Sequence, residues 1–426
     1  MTAGRSVAVI GGGWAGLAAA VEARRHGALV TLFEMAPQLG GRSRDVSVDG
    51  AVLDNGQHIA IGAYSATLTL LHDLGVEEGH AFLRTPLRLV DAKGDGLVLP
   101  DGPPWLAFLR GVLAHTTWSL ADKLSLLRAA AGWLAGGFRC PEVLTVASLT
   151  RGIRTRVRRE LIEPLCVAAL NTSATEASAR VFLRVIADAL FAGRGASDLL
   201  LPRLNLGDVL PRPAARWLEG AGATLLLRHW VRELAVADDG CAVDGTRYDA
   251  VVLAATASES ARLAGAIAPA WAETAGALSF APIVTVYFRS PGTFLPWPML
   301  SLAADETHPA QFVFDRGQLG GAEGLLAFVI SGAEKWVEFG SGPTVEATRR
   351  QAEASLGTYL RGPLEAIQVV VEKRATFRCT PALRRPPMRI AEGLYAAGDY
   401  LEGPYPSTLE GAVRAGIAAG RASCGS

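Results

Sequence analysis

The amino-acid sequence predicts an α/β protein in which one parallel sheet is assembled from distant stretches of chain. A second domain of mixed sheet and helices is inserted between those stretches. Three observations predict this. The chain opens as strand, glycine turn, helix and strand: Ser6 to Ile10 is β-rich, Trp14 to His26 is rich in alanine, and Leu29 to Phe33 is β-rich again. Two strands joined through a helix lie parallel. The chain closes on a similar pattern, a strand over Gly393 to Ala397, a loop, and a helix from about Thr408 to Ala422. Between these ends the pattern is first mostly helical and then mostly strand-like.

The elements between follow from periodicity and punctuation. Residues 38–64 are polar and glycine-rich, with short β-runs at Val46–Val48 and Ala51–Leu53. Residues 65–75 read as a helix with Leu68, Leu71 and Leu74 on one face. Leu87–Val90 and Leu97–Leu99 flank Gly94-Asp95-Gly96, a hairpin signal. From Trp105 to about Leu201 the chain reads as helices broken by glycine pairs and prolines. Thr224–Leu227, Val231–Ala235 and Ala250–Ala254 are strand-like, and 257–277 is helical. Strands follow at Ile283–Phe288, Gln311–Phe314, Leu325–Ile330 and Ile367–Val371, with a helix near 344–360.

Composition removes several function classes. The 426 residues carry 41 basic and 41 acidic side chains, so no basic field favours nucleic acid. Half of the chain is hydrophobic and 19% is charged, which excludes disorder. Five cysteines, Cys140, Cys166, Cys241, Cys379 and Cys424, are odd in number, scattered, and form no CxxC pair. Neither a metal site nor a disulfide framework is expected, and the compartment reads as reducing and cytoplasmic. Val7-Ala8-Val9-Ile10 runs straight into glycines, unlike a signal peptide. No stretch reaches the roughly 18–20 apolar residues of a spanning helix; Thr274 to Phe288 comes nearest and contains Pro282.

The chemistry-bearing motif is Gly11-Gly12-Gly13-Trp14-Ala15-Gly16. The GxGxxG spacing alone carries little weight in a chain with 47 glycines. Its context carries the weight, because it follows a strand, opens a helix, and Glu34 ends the next strand. Gly11 permits the tight turn, Gly13 lets backbone approach a pyrophosphate, and Gly16 lets helix and strand pack closely. The helix N-terminus, with Trp14 and Ala15 in its first turn, offers free N–H groups to phosphate. Glu34 suits ribose hydroxyls and repels a 2′-phosphate. Gln38-Leu39-Gly40-Gly41-Arg42 follows, where Gly41 allows close passage and Arg42 either neutralises phosphate or is a solvated turn residue.

A double-glycine turn, an acidic strand end and Leu39-Gly40-Gly41-Arg42 together resemble the FAD-binding opening of the flavin amine oxidase and carotenoid desaturase superfamily. Leu394-Tyr395-Ala396-Ala397-Gly398-Asp399 and Ser407-Thr408-Leu409-Glu410-Gly411-Ala412 resemble its C-terminal FAD segment. The resemblance implies a Rossmann-like, discontinuous FAD-binding domain over 1–80, 205–262 and 390–426. It implies a substrate domain over 81–204 and 263–389, helical first and mixed sheet second. It implies Gly398, Asp399, Thr408 and Leu409 as FAD contacts, and Val231 as the residue whose backbone holds adenine. Gly56 and Gln57 belong to the same expected cofactor set. No cysteine occurs in Gly403-Pro404-Tyr405-Pro406-Ser407, so the flavin is expected to be non-covalent.

Longer words narrow the likeness. Leu53-Asp54-Asn55-Gly56-Gln57-His58, Glu163 to Thr172, Ala196 to Pro202, Val371 to Phe377 and Gly398 to Pro406 resemble the hydroxysqualene dehydroxylase family of hopanoid pathways. This similarity runs from about residue 5 to 422. It implies reductive loss of the hydroxyl of hydroxysqualene, giving squalene, with hydride from reduced FAD. Such chemistry needs a dry apolar tunnel and a proton donor. His58, Asp54, Glu402 and Tyr405 are the candidate donors, unranked.

Two alternatives stay open. One is an oxidative relative, an isoprenoid desaturase or an amine oxidase with Tyr400 and Tyr405 as an aromatic pair. The other is a non-catalytic isoprenoid-binding flavoprotein. The electron donor is unassigned, since no second clear GxGxxG occurs. Arg151, Arg154 and Arg158 read as one helical face, either solvated or meeting anionic lipid. Trp105 to Leu109 with Val112 and Leu113 reads as either a core helix or a peripheral contact with the inner face of the cytoplasmic membrane.

Overall fold

A computed structural model describes residues 4–48, 51–237 and 240–425. Its central layer is a six-stranded sheet in the order Thr224–Leu227, Leu29–Glu34, Ser6–Ile10, Ala250–Leu253, Leu394–Ala396, Arg389–Ala391. The first five strands are parallel and the last is antiparallel. Val7, Val9, Ala250 and Val252 are fully buried, which is why these strands are continuous apolar runs rather than alternating ones. Ile10 lies level with both Phe33 and Leu253. The carboxyl ends therefore align, and the crevice beyond them is where open α/β sheets take ligands.

The two ends of the chain meet on one face of this sheet. Helix Trp14–Arg25 packs along helix Leu409–Ser423 through small residues. A Cβ on Gly416 would lie 2.2 Å from the Ala15 carbonyl oxygen, and one on Gly420 would lie 2.6 Å from that of Ala19. Nothing larger than glycine fits either position.

A second, antiparallel sheet orders Met299–Ser301, Phe312–Asp315, Leu325–Ser331, Phe280–Arg289 and Glu365–Phe377. Val284, Val286, Phe288, Leu326, Phe328 and Ile330 bury one face in a core shared with Ala352 and Leu356 of helix Ser341–Leu356. The opposite face, with Ile283, Thr285, Val329 and Val370, borders a large cavity. Helices Pro104–Ala114, Leu120–Ala135, Glu163–Leu170 and Ala179–Ile186 enclose that cavity from the other side. Two of the connections, Arg158–Ile162 and Ala187–Phe191, are π-helical.

The structure differs from the sequence reading at several elements. Leu199–Pro202 is a strand, not the end of a helix, and pairs with Ala60–Ile61 and Phe82–Thr85. Val231 precedes its strand, which is Leu234–Ala237 in a small sheet with Gly240–Val243 and Thr246–Tyr248. The 257–277 segment is two helices, Ala257–Ala264 and Pro269–Gly276, because Pro269 starts a new one. Arg151, Arg154 and Arg158 share no continuous helix: Arg151 lies in a turn, Arg154 caps the short helix Thr155–Val157, and Arg158 opens a π segment. Arg154 pairs with Asp122 at 3.0 Å. In helix Pro104–Ala114, Ala107, Phe108, Gly111 and Val112 are buried while Trp105 and Leu113 are exposed. No helix of the described residues is long and apolar enough to cross a membrane.

Candidate functional site

The glycine turn is built by close contact. Gly11 has φ +112°, and a Cβ there would lie 2.5 Å from the Ala254 carbonyl oxygen. A Cβ on Gly16 would fall 1.8 Å from the Gly11 oxygen, so the helix presses directly on the turn. Gly13 bridges to Gly40, whose N–H donates to the Gly12 oxygen at 2.8 Å. Gly41 passes over Gly13, leaving room for a Cβ only 3.2 Å from its Cα. The Leu39-Gly40-Gly41-Arg42 segment is thus laid across the turn that precedes it. Gly13 caps helix Trp14–Arg25 with no side-chain acceptor, and Gly13, Trp14 and Ala15 line the cavity. Helix N–H groups so placed favour an anion.

Around the turn stand the charged residues. Glu34 is buried and accepts from the N–H groups of Gly12 and Ala36, both at 2.7 Å. Arg42 donates to Asp399 Oδ1 at 2.6 Å and to the Ala375 oxygen at 2.7 Å. Burial disfavours the Arg42 cation, but Asp399 more than offsets this and its pKa ends above the ordinary arginine value. Ser407 donates to the other Asp399 oxygen. Thr408 caps the closing helix by accepting from Gly411 N–H at 3.1 Å.

One cavity of about 2100 Å³ gathers these parts. Gly11, Gly13, Trp14, Ala15, Glu34, Gly41, Arg42, Gly56, Gln57, Val231, Gly398, Asp399, Thr408 and Leu409 all line it, as do His58 and Tyr405. Gly16 lies behind the turn and is not on its wall. Val231 sits beside Trp230 and Glu259, its carbonyl accepting from Arg262 at 2.7 Å. Away from the glycine turn the wall is greasy, with Phe108, Trp133, Leu161, Val167 and Phe191 from the helices and Leu89 from the strand Arg88–Val90. Both π-helical segments contribute to this wall, a setting in which such wide turns are frequent. His115, stacked on Trp118 with centroids 3.9 Å apart, also lines it, and Trp118 donates to Glu160 at 2.7 Å.

The candidate acid groups separate by position. Asp54 does not reach the cavity: its carboxylate accepts from Leu206 N–H at 2.7 Å, behind the wall. Burial pushes its pKa up to about 6, with the Leu206 bond opposing. Glu402 is exposed and also off the wall. His58 is in place, with Nδ1 2.9 Å from the Gly56 oxygen and Nε2 3.2 Å from Ser43 Oγ. Burial lowers its pKa, so the ring is neutral at neutral pH. Nδ1 then carries the proton, donating to Gly56, while Nε2 accepts from Ser43. Tyr405 accepts from Arg184 at 3.3 Å, and Arg184 and Arg414 both lie over its ring. Tyr400 turns its hydroxyl to Ser260 at 3.0 Å, and its ring packs against Gly398. The two tyrosines form no ring contact among the described residues.

Three further residues line the cavity, Glu372 and Asn171 within the longer words noted above and Thr285 in none. Glu372 lines the cavity near Asn55, 3.4 Å from its amide. Thr285 lies inside an apolar strand and gives no sign of itself in sequence. Asn171 also lines the cavity, but it is a structural clamp: φ is +48°, and its side chain joins Pro282, Thr376 and Gly332.

Four buried polar atoms on the wall have no partner in the protein: Trp14 Nε1, Gln57 Oε1, His115 Nδ1 and Thr285 Oγ1. Buried polar atoms are costly unpaired, so they mark where ligand atoms belong. The indole N–H beside the glycine turn, the uncapped helix and the acidic strand end fit a flavin dinucleotide. Among the described residues no group of three or more His, Cys, Asp or Glu is arranged to hold a metal.

Comparison with known proteins agrees. A family model described as flavin containing amine oxidoreductase matches residues 14–422. A hydroxysqualene dehydroxylase of Rhodopseudomonas palustris is 30% identical over 98% of this chain and 100% of its own. One from Sinorhizobium fredii is 28% identical over 97% of this chain and 96% of its own. Cyclohexylamine oxidase from Brevibacterium oxydans superposes with a TM-score of 0.69 at 18% identity, covering 99% of both chains. An oxidoreductase from Methanosarcina mazei superposes at 0.70 and 15% identity, covering 97% of this chain and 99% of that one. The solved structures establish an amine-oxidase-like fold, and the family match extends over almost the whole chain. This chain belongs to the flavin containing amine oxidoreductase family and is a flavin-dependent oxidoreductase.

Proposed function

We propose that the protein removes the hydroxyl of hydroxysqualene reductively, giving squalene, with non-covalently held FAD. The observation that carries this is the continuity of the cavity. A single space of about 2100 Å³ runs from the glycine turn into a wall of aliphatic and aromatic side chains. That exceeds the roughly 300–1,000 Å³ of an ordinary small-ligand pocket and suits a dinucleotide plus a long hydrocarbon. The curated relatives that bear this activity's name match almost end to end.

In this reading Glu34 meets the ribose, Arg42 and the helix N-terminus meet the pyrophosphate, and Val231 meets adenine. Gly56, Gly398, Asp399, Thr408 and Leu409 surround the rest of the cofactor. No cysteine lies in the Gly403–Ser407 loop to form a thioether. The net change breaks one C–O bond and forms one C–H bond, and the oxygen leaves as water. When bound in its reduced form, the flavin supplies the hydride. The apolar wall excludes bulk water, so a cation developing on the allylic carbon is not captured by it. The proton that leaves with the oxygen comes from the polar rim, where Glu372 and Tyr405 line the space. His58, held neutral, serves chiefly to order the 56–58 turn.

The test is anaerobic turnover. Photoreduced enzyme mixed with hydroxysqualene is expected to yield squalene by mass, with stoichiometric flavin reoxidation. Absence of squalene, with oxidised enzyme instead accepting hydride from a hydrocarbon or an amine, overturns the reading in favour of an oxidative enzyme. Binding of the alcohol without flavin turnover overturns it in favour of a carrier.

A further inference from the structure

The strand Phe280–Arg289 turns Phe280, Ile283 and Thr285 to the cavity. In its register, Thr285 is flanked by Val329 on one side and Val370 on the other, with Phe312 beyond Val329. All four line the cavity. Thr285 is the one polar side chain among these four, and Ser301, level with Phe312, is the next in the row. It is 1% exposed, and its hydroxyl has no partner. Valine would fill the same shape without burying an unpaired hydroxyl, and it has the same preference for strands. The hydroxyl therefore has work to do on a ligand.

A second orphan stands on the loop that approaches Thr285. Gln57 is 8% exposed, its Nε2 donates to the His58 oxygen at 3.2 Å, and its Oε1 has no donor. Gln57 follows Gly56 directly, and a Cβ on Gly56 would lie 3.7 Å from Thr285 Oγ1. The two orphans are complementary. Thr285 is free to donate an O–H, and Gln57 Oε1 is free only to accept. An alcohol needs one of each: a donor to its oxygen and an acceptor for its proton. A hydrocarbon needs neither.

We propose that Thr285 and Gln57 form the seat for the substrate's hydroxyl, fixing which carbon of a long, otherwise featureless chain is presented for reaction. The seat rests on the dehydroxylase reading and deepens it. It makes the enzyme select alcohol over hydrocarbon, because an empty seat leaves both polar atoms unpaired. It also favours release of the product, which has lost the group the seat holds.

The experiment titrates oxidised holoenzyme with hydroxysqualene and with squalene, following the flavin absorbance change. Wild-type enzyme is expected to bind the alcohol at least about tenfold more tightly. Thr285→Val and Gln57→Met are each expected to lose most of that ratio while retaining flavin, and Thr285→Ser is expected to keep it. In turnover, Thr285→Val is expected to raise KM for the alcohol. Unchanged selectivity in either Thr285→Val or Gln57→Met overturns the seat. So does a variant whose flavin content or spectrum changes while the ratio stays, since that atom then serves the cofactor. Wild-type enzyme that fails to convert hydroxysqualene at all defeats the dehydroxylase reading itself, a result separate from these.

Discussion

The Arg42 guanidinium donates to the Asp399 carboxylate at 2.6 Å, joining two residues 357 positions apart. Arg42 also reaches the Ala375 oxygen, and Asp399 also accepts from Ser407. The pair thus ties the loop after the glycine turn, the long strand of the second sheet and the closing loop together at the cavity wall. Asp399→Ala removes the anion and leaves the Arg42 cation with the neutral Ala375 oxygen. Because Arg42 is about one-third exposed, the loss is discounted to about 1.4 kcal/mol. Flavin affinity is expected to fall about tenfold, measured by reconstitution of the deflavinated protein.

Glu34 holds the turn and lines the cavity. Its carboxylate accepts from Gly12 and Ala36 N–H groups, both at 2.7 Å. Glu34→Ala is expected to lower the flavin-to-protein absorbance ratio after desalting, and to lower the melting temperature even of flavin-free protein. The second effect separates support of the turn from contact with ribose.

Gly416 and Gly132 make opposite predictions. A Cβ on Gly416 would lie 2.2 Å from the Ala15 oxygen, whereas one on Gly132 meets nothing within 4 Å. Gly416→Ala is expected to cost about 1–3 kcal/mol through overpacking. Gly132→Ala, within helix Leu120–Ala135, is expected to stabilise by about 0.5–1 kcal/mol. Urea midpoints of the holoenzymes measure both.

Asp54 governs a pH dependence. Burial raises its pKa from 3.8 to about 6, so the folded state binds its proton more tightly than the unfolded chain does. Its contribution to stability is therefore most favourable at low pH and is lost as pH rises from about 4 through 6. Asp54→Asn removes this loss. The variant is expected to be more stable than wild type at pH 7, by on the order of 2 kcal/mol, and to lose that advantage near pH 4. Denaturation at the two pH values measures the difference, because shared titrations cancel.

The dinucleotide part of the fold was legible because its signals are local and redundant. Strand, glycines, helix and acidic strand end lie within one short span, and Gly398-Asp399 repeats the message at the other end. The strand Leu199–Pro202 was hidden because a short apolar run has no period to distinguish strand from buried helix. The long strand Glu365–Phe377 was read only over its apolar part, since Glu372, Lys373 and Arg374 at a sheet edge look like loop. The cavity lining around the glycine turn was legible through glycine and charge. Asp54 looked equally chemical, yet its carboxylate spends itself on the Leu206 N–H. Thr285 was invisible for the converse reason: one hydroxyl in a β-branched run becomes informative only when its surroundings offer it no partner.

The seam between helices Trp14–Arg25 and Leu409–Ser423 sets an order of events during synthesis. The glycine turn leaves the ribosome early, but its supporting helix and the loop bearing Asp399 emerge only after the whole inserted domain. The nascent chain therefore carries the glycine turn beside an alanine-rich helix that stays unsupported until helix Leu409–Ser423 docks against it.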